Sequence, residues 1–331
     1  MRALPSVVLL ALGCCAHREP VARDNPDSTA VLQSVPPPMA SIPATATSVD
    51  ASKGGVHALA TQQPSPARGM AVDAANVYWA NTIGGTVMSV PVGGGAPVTI
   101  ASKQDHPHAV AVDTSNVYWA TDISIMKAPL AGGAASVVTM EHEPEALAVD
   151  ERDVYAVAPF TIVGVAITGG PPRTIAFNPG NPTALALQGG SIFWTDDQNK
   201  RVMAMKLGSH HSTELASGAQ GYRNLAVDEA YAYWTDTDAG MVSKVALDGG
   251  KPVTLASGQD GPAAIAVDRG QVYWTTRTAV MQLSLHGGTP RSLATDGHPV
   301  SIALNASSVY WLDEGDRFKN YANGRVMKAA K

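Results

Sequence analysis

A three-residue phrase recurs seven times at nearly constant spacing. It reads Val77-Tyr78-Trp79, Val117-Tyr118-Trp119, Val154-Tyr155-Ala156, Ile192-Phe193-Trp194, Ala232-Tyr233-Trp234, Val272-Tyr273-Trp274 and Val309-Tyr310-Trp311. Between the third residues the steps are 40, 37, 38, 40, 40 and 37. Self-similarity at about 40 residues is the mark of a stacked repeat, one supersecondary unit per copy. All six tryptophans of the chain stand in this one slot. Each copy also carries an Ala-rich run before the phrase (Val110-Ala111-Val112-Asp113) and two β-branched runs after it, such as Gly85–Val90 and Val98–Ala101. Gly, Asp and Pro separate the runs, as hairpin connections require.

Four short antiparallel strands per copy predict an all-β fold, a β-propeller of four-stranded blades. Blades covered on both faces explain why Val-Tyr-Trp is apolar throughout instead of alternating. The innermost strand lies where blades converge. Its centre is alanine in every copy: Ala71, Ala111, Ala148, Ala186, Ala226, Ala266 and Ala303. Blade three has Ala156 where the others have tryptophan, and Phe160 is the candidate to fill that space. An outer-strand phrase appears early, at 56–61, and the last copy stops after its third strand at 324–328. Seven blades follow, with six or eight as the alternatives. The ring closes when the N-terminal outer strand joins the C-terminal blade, which removes an open sheet edge.

The segments Tyr233-Trp234-Thr235-Asp236 and Phe193-Trp194-Thr195-Asp196, with looser copies at Tyr118–Asp122, Tyr273–Thr276 and Tyr310–Asp313, resemble the YWTD repeats of lipoprotein-receptor propellers. The resemblance spans 56–331 and concerns architecture. Such propellers typically have six blades, and the receptor modules rich in cysteine have no counterpart in these residues, so no receptor role is implied. In general plan alone the chain also resembles the seven-bladed streptogramin lyases and related sugar-lactone hydrolases.

Both cysteines stand at 14 and 15. This placement excludes a disulfide scaffold or a zinc ribbon within the repeats. Arg2 followed by an apolar run to Gly13 has the form of a signal peptide, too short to span a bilayer. Ala11-Leu12-Gly13-Cys14 resembles a bacterial lipoprotein signal, with Ala11 where leucine is usual. The expectation is a signal peptide over 1–13, lipidation of Cys14, a disordered tether over 14–55 containing Pro36-Pro37-Pro38, and a propeller over 56–331. The protein is then exported and lipid-anchored to a bacterial envelope, at the outer membrane or cell surface. A formal net charge of −5 without a basic block argues against a nucleic-acid partner.

In a propeller the loops entering the innermost strands share a face with those joining second and third strands. One position per copy varies freely at that channel mouth: Arg68, His108, Glu145, Thr183, Arg223, Ala263 and Val300. Nearby stand His106, His142, Glu143 and His298. Imidazoles beside carboxylates suit a ligand site, a divalent metal or an acid–base pair. Loops two and three gather His106, His108, His142, Glu143 and Glu145, with Arg68 from the loop before. The Asp73, Asp113, Asp150, Asp228 and Asp268 series reads as turn formers. The Asp122, Asp196, Asp236 and Asp313 series reads as hydrogen-bonding between blades. The insertion between Asp313 and Gly324 suits partner contact or a cap on the closure seam. No nucleophile-elbow, zinc-protease or phosphate-loop pattern occurs. The function expected is a monomeric, non-catalytic binding or scaffold module for a protein or glycan ligand, without a cofactor. The alternative is a metal-assisted lyase or hydrolase using a His/Glu site at the mouth.

Overall fold

The computed structural model describes residues 55–64, 69–141, 143–315 and 323–331. Signal peptide, tether, Cys14, Arg68, His142 and most of the 314–323 insertion lie outside them.

Seven four-stranded antiparallel sheets form among the described residues. Blade one covers 70–101, blade two 110–140, blade three 146–177, blade four 182–217, blade five 222–256 and blade six 265–294. Each runs from its innermost to its outermost strand in chain order. The seventh is the exception. Pro299–Leu304, Ser308–Asp313 and Gly324–Ala330 supply three strands, and Val56–Gln63 pairs antiparallel with the last of them as the outer strand. The innermost strands contact one another in a closed ring, blade one meeting both blade two and blade seven. The seven-bladed count and the closure by strand exchange are as the sequence predicts.

The core is not one mass but seven clusters, one in each gap between neighbouring blades. In six of them the tyrosine or phenylalanine of one blade meets the tryptophan of the next. Tyr78 shares a cluster with Trp119, Phe193 with Trp234, Tyr233 with Trp274 and Tyr310 with Trp79. The repeated phrase therefore serves two gaps: successive residues of a strand point to opposite faces, so tyrosine faces forward and tryptophan back. The gap between blades two and three contains Ala156, and Leu147, Val163 and Ile125 occupy it with Tyr118. Phe160 does not fill it. It is 68% exposed, because it sits in the loop between second and third strands with a left-handed backbone (φ 58°).

Convergence of the inner strands sets the small residues. All seven central alanines are buried. At Gly69 a Cβ would lie 1.9 Å from the His108 carbonyl oxygen of the neighbouring blade, so the first blade admits no side chain there.

The turn between first and second strands shows why aspartate recurs. Asp73 Oδ1 accepts the amide N–H groups of Ala75 and Asn76 at 2.7 and 2.6 Å, and its Oδ2 accepts the Tyr78 hydroxyl at 2.8 Å. The Asp113–Tyr118, Asp150–Tyr155 and Asp228–Tyr233 pairs repeat it. Burial, and then the adjacent carboxylate, raise these tyrosines well above the ordinary phenol range, so their hydroxyls remain donors. Blade four has Phe193 in place of the tyrosine, and its turn carries Gln188-Gly189-Gly190 in place of the aspartate. Donor and acceptor are lost together, so neither is left unpaired in that blade.

Trp119 is fully buried and its indole N–H donates to Gln104 Oε1 at 3.0 Å. Trp119→Ala is expected to lower stability by about 3–5 kcal/mol through the cavity it opens, measured as a shift in urea midpoint. Phe160→Ala, at an exposed position, should shift it by less than about 0.5 kcal/mol.

Candidate functional site

The mouth loops divide into two kinds, and the residue two places after each tryptophan slot separates them. In blades four, five and seven it is Asp196, Asp236 and Asp313, all buried. Asp236 accepts the amide N–H groups of Gln220, Gly221 and Ala239 at 2.8, 3.0 and 3.0 Å. Asp196 accepts those of Asn181 and Asn199, both at 3.1 Å, and takes the Arg201 guanidinium at 2.7 Å. Asp313 accepts from His298 and Gly315 and pairs with Arg325. These bonds hold the loop entering a blade to the end of that blade's own second strand. They lie within blades, not between them as the sequence suggests. The carboxylate sits on its own second strand, beside the N-terminal end of its own innermost strand, within reach of the amides entering there. The innermost strands of these blades accordingly start early, at Pro182, Tyr222 and Pro299. Gly180, with φ 81°, is required in one such loop, because a Cβ there would lie 1.9 Å from Asp196 Oδ1.

Blades one, two, three and six have Asn81, Thr121, Ala158 and Thr276 in that slot. Three of these inner strands shrink to three residues, Met70–Val72, Val110–Val112 and Ile265–Val267. No carboxylate collects the amides in the entry loops of blades two and three, which include left-handed backbone at Lys103, His106 and Glu143. Thr121 Oγ1 pairs instead with Ser124 Oγ at 2.8 Å.

Asp122 is thereby moved out of the framework. It stands three places after its tryptophan, and its Oδ2 lies 3.1 Å from His106 Nδ1. Asp105 Oδ1 lies 3.2 Å from the same nitrogen. Asp105, His106 and Asp122 place one potential ligand atom each within 4.8 Å of one another, with both loop residues exposed. Sequence reasoning groups Asp122 with the framework carboxylates. The signal that distinguishes it is the Tyr-Trp-Ala-Thr-Asp spacing, one residue longer than Tyr-Trp-Thr-Asp.

His108 has another task. Its Nδ1 lies 2.8 Å from the His106 carbonyl oxygen and its Nε2 2.7 Å from that of Pro144 in the loop entering blade three. Both ring nitrogens face backbone carbonyl oxygens, one from each loop, and a neutral ring donates to one of them. Glu143 joins the group through its amide, which donates to Asp122 O at 2.9 Å. Glu145 follows Pro144 at the mouth and is exposed. Arg223 enters from blade five, three blades round the ring from His108. His298 enters from blade seven, where its Nδ1 meets the Arg277 carbonyl oxygen at 3.2 Å. The structure thus brings His106, His108, Glu143 and Asp122 together at blades two and three, and distributes Arg223 and His298 elsewhere on the rim.

A further regularity lies four residues before five of the seven central alanines, where Pro107, Pro144, Pro182, Pro262 and Pro299 occur, all buried. Proline donates no N–H, and three of these residues offer a carbonyl across a blade boundary: Thr82 donates to Pro107 O, Thr237 to Pro262 O, and His108 meets Pro144 O. The five-fold recurrence is visible in the sequence once the copies are aligned on their alanines.

Solved structures share this architecture at low identity. Virginiamycin B lyase from Staphylococcus aureus superposes with a TM-score of 0.67 at 12% identity, over 83% of this chain and 98% of the lyase. The WD40 propeller domain of Doa1 gives 0.65 at 13% identity, over 82% and 97%. A chain of the nidogen/laminin complex gives 0.56 at 19% identity, over 68% and 93%. No protein-family model and no curated protein matches the sequence. At such identities the likeness concerns fold alone.

Burial works to raise the pKa of Asp196, but Arg201 and the Asn199 and Asn181 donors outweigh it and hold the group below its ordinary 3.8. A carboxyl depressed in the folded state stabilises above its unfolded pKa, and this contribution is lost as pH falls through the lower folded value. Asp196→Asn is therefore expected to cost about 1.5–3 kcal/mol at pH 6. The gap to the unsubstituted protein should narrow at pH 3, as read from urea midpoints at both pH values.

Proposed function

We propose that this chain is a non-catalytic binding propeller with YWTD-type repeats, displayed at a bacterial envelope. It recognises a protein or carbohydrate ligand through its channel-mouth loops. The observation that carries the reading is the split between pinned and unpinned loops. The buried aspartates of blades four, five and seven are engaged by backbone donors, joined by Arg201 at Asp196 and by Arg325 at Asp313, which suits scaffolding. The loops of blades two and three are released from that pattern and present differing polar groups on a rigid ring, the usual arrangement for recognition. His108, the imidazole at the variable mouth position, lies between two backbone carbonyl oxygens and serves as a strut between loops.

The metal-assisted lyase or hydrolase is kept as a second reading on one observation, the convergence of Asp105, His106 and Asp122. The propeller likeness includes virginiamycin B lyase, of which a histidine-to-alanine variant described as catalytically inactive has been solved with quinupristin. Histidine alone does not transfer that chemistry at 11% identity.

For the anchor, the N-terminal residues support a mature chain beginning at acylated Cys14, joined by the 14–55 stretch to the propeller. More than one acyl chain would give stable anchoring, where a single chain holds only marginally. Mass spectrometry of the mature N-terminus is expected to show an acylated Cys14; an unmodified N-terminus at any other residue refutes the anchor.

Binding is tested by immobilising the whole protein against panels of envelope glycans and peptides. Capture without turnover is expected, weakened at least tenfold by Glu143→Lys or Arg223→Glu. Turnover of a captured compound refutes the non-catalytic reading. A rise in melting temperature with Zn²⁺, Mn²⁺ or Mg²⁺ that disappears in Asp122→Asn would favour the metal reading instead.

A further inference from the structure

Large apolar side chains that remain exposed are unevenly placed. Val98, Val137 and Val253 lie on outer strands of different blades, the scattered kind that needs no special account. Among the described residues, the remainder gather on the mouth face of blades one to three. Ile123, at 50% exposure, stands at the loop after the second strand of blade two, and Met140, at 61%, ends its outer strand. Phe160 and Phe177, the latter at 79%, hold the same two places in blade three. In each blade the two residues are one step out of register at the same end of the sheet. Ser124, next to Ile123, pairs with Met140; Thr161, next to Phe160, pairs with Phe177. Ile83 continues the series at the corresponding loop of blade one. The equivalent loop positions in blades four, five and six carry Gln198, Asp238 and Thr278, and the outer strands there end in Ser217, Ala256 and Ala294.

Acid surrounds this apolar rim. The loops 102–109, 121–123 and 141–145 hold Asp105, Asp122, Glu141, Glu143 and Glu145 against one lysine, Lys103. Two are locked to the rim by backbone. The Glu141 amide donates to Ile123 O at 3.1 Å and the Glu143 amide to Asp122 O. Apolar tips and carboxylates therefore stand on the same hydrogen-bonded loops.

We infer that the mouth face of blades two and three docks a polypeptide segment in which apolar side chains alternate with lysine or arginine. This rests on the binding reading above and selects a protein over a carbohydrate. Phe160, Phe177, Ile123 and Met140 have apolar side chains, and the carboxylates around them favour a cation, which a neutral sugar does not supply. A second copy in a two-fold contact would set five carboxylates against the same five. An anionic lipid surface would meet the same repulsion. A cationic, apolar segment satisfies both features at once, with the charges steering the encounter and the apolar contacts holding it.

The test uses the whole protein and fluorescein-labelled twelve-residue peptides read by anisotropy. One alternates Leu with Lys, one Leu with Glu and one Ser with Lys; anionic vesicles and a chito-oligosaccharide run in parallel. The Leu/Lys peptide alone is expected to bind, more weakly as salt rises. Affinity should fall at least tenfold in Phe160→Ser/Phe177→Ser and in Glu141→Lys/Glu143→Lys. It should stay unchanged in Val253→Ser, which removes an exposed apolar side chain elsewhere. Equal binding of Leu/Glu, equal affinity across the variants, or uptake by vesicles in place of peptide overturns the inference. If Leu/Lys fails while the oligosaccharide binds and is lost in Arg223→Glu, this inference falls and the binding reading stands. If nothing binds in any arm, and the glycan and peptide panels above are also empty, both fall.

Discussion

Every blade is held by its neighbours before it is held by itself. The Tyr-Trp dipeptide is the means: one ring projects into the gap ahead and the other into the gap behind, so a single strand joins two interfaces. Trp119 packs with blade one while Tyr118 packs with blade three. No blade can bury its apolar faces alone, and the ring has to close for the last of these gaps to form. That is why Val56–Gln63 crosses to blade seven and why Gln63, at its end, accepts the Trp79 indole N–H at 3.2 Å. The same strand completes a sheet and anchors a ring of the next blade.

Polar residues follow a division of labour between the two faces. On the face away from the mouth, Asp–Tyr pairs close the first turn of most blades, and blade four omits both partners. On the mouth face, three buried aspartates draw their own entry loops into longer inner strands. Where the aspartate is replaced by Asn, Thr or Ala, the loop is free to be something else. The unusual chemistry of the protein, the Asp105–His106–Asp122 group, the His108 strut and the exposed apolar tips, lies on blades of the second kind. Release from a framework bond and the gain of a distinctive surface occur in the same loops.

Much of this is legible before folding. The period, the blade count, the strand-exchange closure, the small central alanines and the turn role of the first aspartate series all follow from repetition, because each copy controls for the others. Phe160 and Asp122 mark where that reading stops. Phe160 looks like a substitute for a missing tryptophan, yet its loop has no path into the gap, and Leu147, Val163 and Ile125 fill it from strands already facing it. Asp122 looks like a framework carboxylate, yet one extra residue turns it toward His106. Both are questions of direction, and direction depends on where a loop leaves the ladder.

The sequence by itself determined the ring: a strand-sized pattern repeated at about 40 residues has one economical way to bury both faces of every unit. It also marked the channel mouth as the place where copies differ. Only the tertiary structure decided which of those differences meet. His106 and Asp122 are sixteen residues apart, and His108 and Pro144 thirty-six; Phe177 pairs with Thr161, the neighbour of Phe160. Such neighbours are made by hydrogen-bonded register and by loop backbone in left-handed conformations, which depend on the assembled blades and not on any local run of residues.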